Sequence, residues 1–222
     1  MKKGQQEQIW KASYAVLCAY LKLFRAEGWK VTSFKSWDMI KWNAIGHQVF
    51  LSELALEQYL ANDSIEKNTK ATTFDNENGP KNSRCFVAEH IFPTRVLQDF
   101  TYQQFADRDP SLEEFQTVFM ALNCLCYVWY EEDMALQSSG LKSSLNSGGE
   151  EICYDDYYTF GLDATAAERG LKRLLTHRYE NCSPAIRPIR TRFSDGQGLF
   201  KYLSNARSLN VPSSQIISEI KA

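Results

Sequence analysis

Of the three histidines in the chain, at positions 47, 90 and 177, His90 has the most suggestive neighbours. It follows Glu89 directly and stands three residues before Pro93, in front of Arg95. Where a strand ends, adjacent side chains diverge. A carboxylate beside an imidazole can then hold a divalent cation with one group and take a proton from water with the other. Phosphodiester hydrolysis needs both tasks done. The same two residues also make an ordinary ion pair, and a lone Glu-His dipeptide does not choose between the readings.

Its surroundings add to the signal. The stretch 88–97, Ala-Glu-His-Ile-Phe-Pro-Thr-Arg-Val-Leu, resembles the first strand and turn of the HNH-type nucleases, the ββα-metal family. That resemblance implies a ββα-metal core, one divalent ion, His as general base and a further metal ligand on the helix after the second strand. Carried onto this chain, it makes Glu89 a metal ligand and His90 the base. Residues 125–130 become the second strand, and the helix opening at Glu131 becomes the helical element. The family commonly presents Asn or His on that helix, whereas this chain offers Glu132 and Asp133. These are hard oxygen ligands suited to magnesium or manganese. Asn123 is a candidate to orient His90. The separation of about forty residues between His90 and Glu131 exceeds a minimal unit, and the zinc knuckle that often braces such sites is missing. A looser resemblance, to uncharacterised bacterial proteins, groups Glu89-His90-x-x-Pro93, the Glu131–Leu136 run and Gly140-Leu141 over residues 84–160, and implies no activity.

Charge is unevenly distributed. From 131 to 163 stand eight acids against Lys142 alone; from 169 to 192 stand seven basic residues against Glu180. An acidic block followed by a basic one suits a metal site beside a phosphate-binding surface, and equally two segments that pack on each other. Arg187-Pro-Ile-Arg190-Thr-Arg192 sets guanidinium groups around a rigid proline, a pattern able to grip a phosphate backbone. Arg95 and Arg178 complete the candidate DNA-binding set. His177, beside Arg178, reads more readily as a surface histidine. Between 29 and 47, Trp29, Phe34, Trp37 and Trp42 alternate with Lys30, Lys35 and Lys41, which fits base stacking or an ordinary core with wet lysines.

Other chemistries find no support. The net charge of −2 rules out a uniformly basic nucleic-acid coat. There is no Gly-x-x-x-x-Gly-Lys-Ser/Thr loop, Gly-x-Ser-x-Gly elbow or His-Glu-x-x-His motif. Glu219-Ile-Lys221 is the nearest approach to a Glu-x-Lys nuclease strand, and it sits at the extreme C-terminus. The six cysteines are scattered and read as free thiols. Cys124, Cys126, His177 and Cys182 could supply four zinc ligands, but without a Cys-x-x-Cys pair zinc is the weaker expectation beside a magnesium or manganese site. No apolar run reaches membrane-spanning length and the start lacks a signal-peptide pattern, which points to a cytoplasmic protein with no membrane partner.

Elements must carry these residues. Periodicity predicts helices over 5–27, 48–60, 111–122, from 131, and over 213–220. Strands are expected over 84–93, closed by Pro93, and over 125–130. Residues 61–82 and 138–149 read as loop. The fold class is α+β, mostly helical with a small ββα-metal-like core. It is divided into a helical region 1–80, the core 81–163 and a basic segment 164–222. Ile216, Ile217 and Ile220 share one side of the last helix, to dock on the body or on a second subunit in a homodimer. The leading expectation is a metal-dependent DNA endonuclease, of restriction or defence type by analogy. Its rival is a non-catalytic protein that binds protein or nucleic acid, with Glu89 and His90 as a structural pair.

Overall fold

The computed structural model describes residues 3–33, 37, 40, 48–65, 67, 85–116, 124–142 and 176–221. The protein is α+β and mostly helical, with one small sheet. Its chain divides into two units that alternate along the sequence. Met1–Gly46, Phe92–Asn123 and Ser143–Leu174 form the first; His47–Ile91, Cys124–Lys142 and Leu175–Ala222 form the second. Each unit draws on all three of the regions 1–80, 81–163 and 164–222 expected from composition. Strand pairing joins pieces that lie far apart in sequence, and turn-rich boundaries carry no information about such pairing.

In the first unit, helix α1 (Lys3–Glu27) runs to Gly28 as its periodicity predicts. Trp10, Leu17 and Leu21 are buried along one stripe. Trp10 meets Phe115 edge-on at 5.2 Å, and Phe24 lies 4.8 Å from Tyr102. Ser111 caps the helical stretch 112–116: its Oγ accepts from the Glu114 N–H at 3.0 Å while Glu114 accepts from the Ser111 N–H at 2.7 Å. Of the aromatic and lysine stretch, Trp37 is core and donates Nε1–H to the Val31 carbonyl at 2.6 Å, whereas Trp29 is exposed. Phe34, Lys35, Lys41 and Trp42 lie outside the described residues.

In the second unit, strands β1 (Gln48–Ser52), β2 (Phe86–His90), β3 (Cys124–Trp129) and β4 (Pro188–Arg190) form a mixed sheet in the order β2-β3-β1-β4. β1 and β3 are parallel; β2 and β4 pair antiparallel on the outside. The expected helix over 48–60 is corrected here. Its first five residues are strand, and only Glu53–Ala61 is helix, α2. Val49, Phe50 and Leu51 are all buried because β1 is covered on both faces. Ser52 then caps α2, its Oγ accepting from the Ala55 N–H at 3.0 Å.

The expected strands at 84–93 and 125–130 are present, the first shorter and the second shifted by one residue. They pair antiparallel, and helix α4 (Tyr130–Ser138) follows β3 at once. A β-β-α order therefore exists, within a larger sheet and with helix α3 (Thr94–Gln104) between its strands. Two helices close the chain, α5 (Gly196–Ser208) and α6 (Ser213–Ile220). α6 keeps its predicted bounds and docks on the body, burying Ile216 and Ile220.

The two sheet faces differ in kind. One carries Val49, Leu51, Phe86, Tyr127, Trp129 and Ile189 into an apolar core under α5 and α6. The opposite parity places Phe50, Cys126 and Glu89 in a row of directly paired positions. On the apolar side Phe200 packs against Phe86 at 4.8 Å and Tyr127 at 5.1 Å. Gly196 opens α5 there because a Cβ at that position would fall 1.8 Å from Tyr127 Oη and 2.3 Å from Cζ. Gly196→Ala should therefore lower the thermal midpoint, although alanine favours helix by about 1 kcal/mol in an interior position. A differential scan that finds G196A as stable as wild type contradicts this packing.

Candidate functional site

Glu89 is the residue from which the site is built. Its register opposite Cys126 turns it away from the apolar core, and it is buried. A buried carboxylate needs compensating partners, and these come from the π-helical turn Thr176–Glu180. Arg178 Nη2 reaches Glu89 Oε1 at 2.8 Å and Nη1 reaches Oε2 at 3.4 Å; Tyr179 Oη donates to Oε2 at 2.9 Å. Arg178 is fully enclosed, at 0% exposure.

The remaining donors of that guanidinium go to backbone carbonyls. Nη1 donates to His90 at 2.9 Å and to Ile91; Nε and Nη2 donate to Leu141 at 3.1 and 2.8 Å, and Nη2 to Lys142 at 3.4 Å. Leu141 is presented by the tight end of α4, where Gly140 takes a positive φ of 75° and the Leu141 N–H returns to Leu136. Burial alone would pull the Arg178 pKa down, but Glu89 beside it more than offsets this and holds the guanidinium charged. Burial, then the Glu89 charge, pushes the Tyr179 phenol well up, so it remains a donor.

The two acids of α4 have other partners. Glu132 reaches back to the Trp129 N–H at 2.7 Å and accepts from Ser52 Oγ at 2.5 Å. One carboxylate thus joins the first turns of α2 and α4 where the parallel strands β1 and β3 end. Burial pushes its pKa up, against the two hydrogen bonds that lower it. Asp133 is bound by Lys142 at 2.6 Å. Cys126 lies between the two systems, its thiol pushed well up by burial first and then by the Glu132 and Glu89 charges.

Against the residues expected from sequence, the structure makes several corrections. The carboxylate of Glu89, expected on a metal, holds a guanidinium and a phenol. Arg178, expected at a DNA surface, is the centre of the buried cluster. Glu132 and Asp133 engage Ser52 and Lys142 respectively. His90 is half-buried, and its carbonyl accepts from Arg178. Among the described residues no three His, Cys, Asp or Glu side chains gather as a metal site would need. Cys124 and Cys126 are buried on β3, and burial raises the Cys124 thiol to about 12 and the Cys126 thiol well up. The His177 side chain, Asn123 and most of the acidic block lie outside the described residues.

The other arginines of the candidate DNA-binding set are at the surface. Arg95 is exposed on α3 in the first unit. In the second, Arg187 is 80% exposed and loosely opposite Glu53 at 3.8 Å. Arg190 and Arg192 are exposed around β4, and Arg192 lies over the rings of Phe193 and Tyr202 at 5.4 and 5.6 Å. No protein-family model, curated protein or solved structure matches the chain.

Sequence reasoning missed Tyr179, Ser52 and Lys142 as partners and misread Arg178. The Arg178–Glu89 contact spans 89 positions, and no local pattern announces it.

Two measurements check this assignment. Arg178→Met leaves Glu89 buried without its cation and should cost roughly 3–5 kcal/mol in urea unfolding, with part recovered when Glu89→Leu is added. An R178M protein as stable as wild type refutes the buried pair. Glu132 has a folded pKa above its unfolded one, so it stabilises the fold fully below the unfolded pKa and loses that contribution as pH rises through the folded value. Glu132→Gln keeps an oxygen to accept from Ser52 and Trp129 without the desolvated charge. Its stability relative to wild type should rise between about pH 4 and neutrality; a flat difference contradicts the raised pKa.

Proposed function

We propose that this chain is a non-catalytic nucleic-acid-binding protein that holds the phosphate backbone with the arginines around β4. One observation carries the reading: Arg187, Arg190 and Arg192 are all exposed on one six-residue segment, whereas Arg178 of the same basic block is spent inside the fold. An exposed guanidinium offers two directed donors to phosphate oxygens. Arg187's pairing with Glu53 is long and wet, so it yields readily to a phosphate. The Arg192 guanidinium lies over the Phe193 and Tyr202 rings, a pairing of cation and aromatics suited to a single strand.

The reading departs from metal-dependent hydrolysis because both oxygens of Glu89 are already hydrogen-bonded within the core. Glu89 and His90 then serve the fold, as a strand end gripped by Arg178.

The test is binding of labelled single- and double-stranded DNA across a salt series. Arg187→Ala and Arg190→Ala should each lower affinity and reduce the salt slope by roughly one unit. Unchanged slopes in both variants refute the backbone-binding role. In parallel, plasmid and single-stranded DNA are incubated with magnesium or manganese. The proposal expects cleavage by neither wild type nor His90→Ala; cleavage lost only in H90A, with its circular dichroism intact, would restore the nuclease reading.

A further inference from the structure

On the flank of the second unit, α2 and α6 enclose a half-open groove of about 510 Å³. Its floor is Leu56 and Ile189, both nearly sealed, and Leu60 and Ile217 leave partly exposed apolar surface along its walls. Lining residues run from Glu53 to Ala61 on one side and from Ser213 to Lys221 on the other. At 1.5 Å per residue each wall is about 12 Å long, a little over two helical turns.

Charge on these walls is asymmetric. Glu53 and Glu57 stand one turn apart on α2, where like charges repel across i and i+4. The only ion pair seen for either among the described residues is the 3.8 Å contact of Glu53 with Arg187, which is weak because both groups are in water. Lys221 is the single cation of the lining. An apolar trough beside two carboxylates complements a ligand with bulky aliphatic groups and a cation next to them. A small molecule is expected to be buried over most of its surface, which a half-open trough does not provide. A chain segment that buries one face and leaves the other wet fits it.

We propose that this groove docks an amphipathic helical segment of a partner protein, with aliphatic side chains in the trough and a Lys or Arg against Glu53 and Glu57. The groove adjoins the arginines proposed to hold nucleic acid, since Glu53 also faces Arg187 at 3.8 Å, but none of those arginines lines it.

The probe is a labelled 15-residue helical peptide with leucines at i, i+3, i+4 and i+7 and flanking lysines, with a matched peptide carrying glutamates instead. Fluorescence anisotropy is read against the full chain. The lysine peptide should bind, and Ile217→Arg, at a half-exposed position, should abolish binding. The exposed double reversal E53K/E57K should weaken the lysine peptide at least tenfold while gaining the glutamate peptide. No binding of either peptide to wild type, or binding indifferent to both variants, overturns the proposal. So does a dimer in sedimentation that I217R dissolves, because the groove would then belong to a second copy of this chain.

Discussion

The guanidinium of Arg178 is the constraint on which the second unit depends. It holds together the end of β2 and the end of α4, two places where backbone carbonyls lack regular partners. Buried carbonyls must be satisfied somewhere, and here one side chain answers for four residues while neutralising Glu89. Such a pair adds little net stability compared with an apolar replacement, because desolvating two charges is costly. Its effect is on uniqueness. Only the native register of β2 brings Glu89 opposite Cys126 and onto the side from which Arg178 arrives; a one-residue slip would turn the carboxylate into the apolar core.

Glu132 repeats this logic with an anion. Parallel strands β1 and β3 end side by side, and each passes directly into a helix whose first amides lack intrahelical partners. Ser52 caps α2 with its own hydroxyl and donates the same hydroxyl to Glu132, which in turn caps α4. Two helix starts are thereby fixed by one shared hydrogen-bond chain. Its cost is a buried carboxylate with no cation bonded to it among the described residues, and burial pushes its pKa up.

What the sequence made legible follows from how local each signal is. α1, α6, the Ser111 cap and the two strands flanking α3 are written in periodicity, caps and a closing proline, and they appear close to their expected bounds. β1 was not legible: Val49-Phe50-Leu51 is a short apolar run that helix and strand explain equally until its place inside the sheet is known. Of the candidate site, the sequence shows the acids but not what faces them. Glu89, Glu132 and Asp133 do sit at strand and helix ends that the fold brings into one unit, and the segments grouped around Glu89 and Gly140-Leu141 do meet. The partners of these acids were not legible, because a carboxylate's role is set by what faces it. Charge counting placed Arg178 with Arg187, Arg190 and Arg192, and composition cannot tell a buried guanidinium from an exposed one.

The exposed arginines gain meaning from the strand that carries them. β4 is an outer strand of the sheet, a position that usually invites another strand to add. Here that route is hindered twice. Pro188 opens β4 without an amide to donate, and just beyond its end Thr191 pairs with Lys221 while the Arg192 N–H goes to the Ile220 carbonyl. Backbone recognition at this edge is therefore largely closed, and what remains for a partner is side chains. Arg187 lies before the proline and Arg190 and Arg192 after it, so a rigid, already paired segment presents them with little backbone freedom left to lose. The proposed hold on phosphate oxygens, which ask for directed donors and no strand, rests on this geometry.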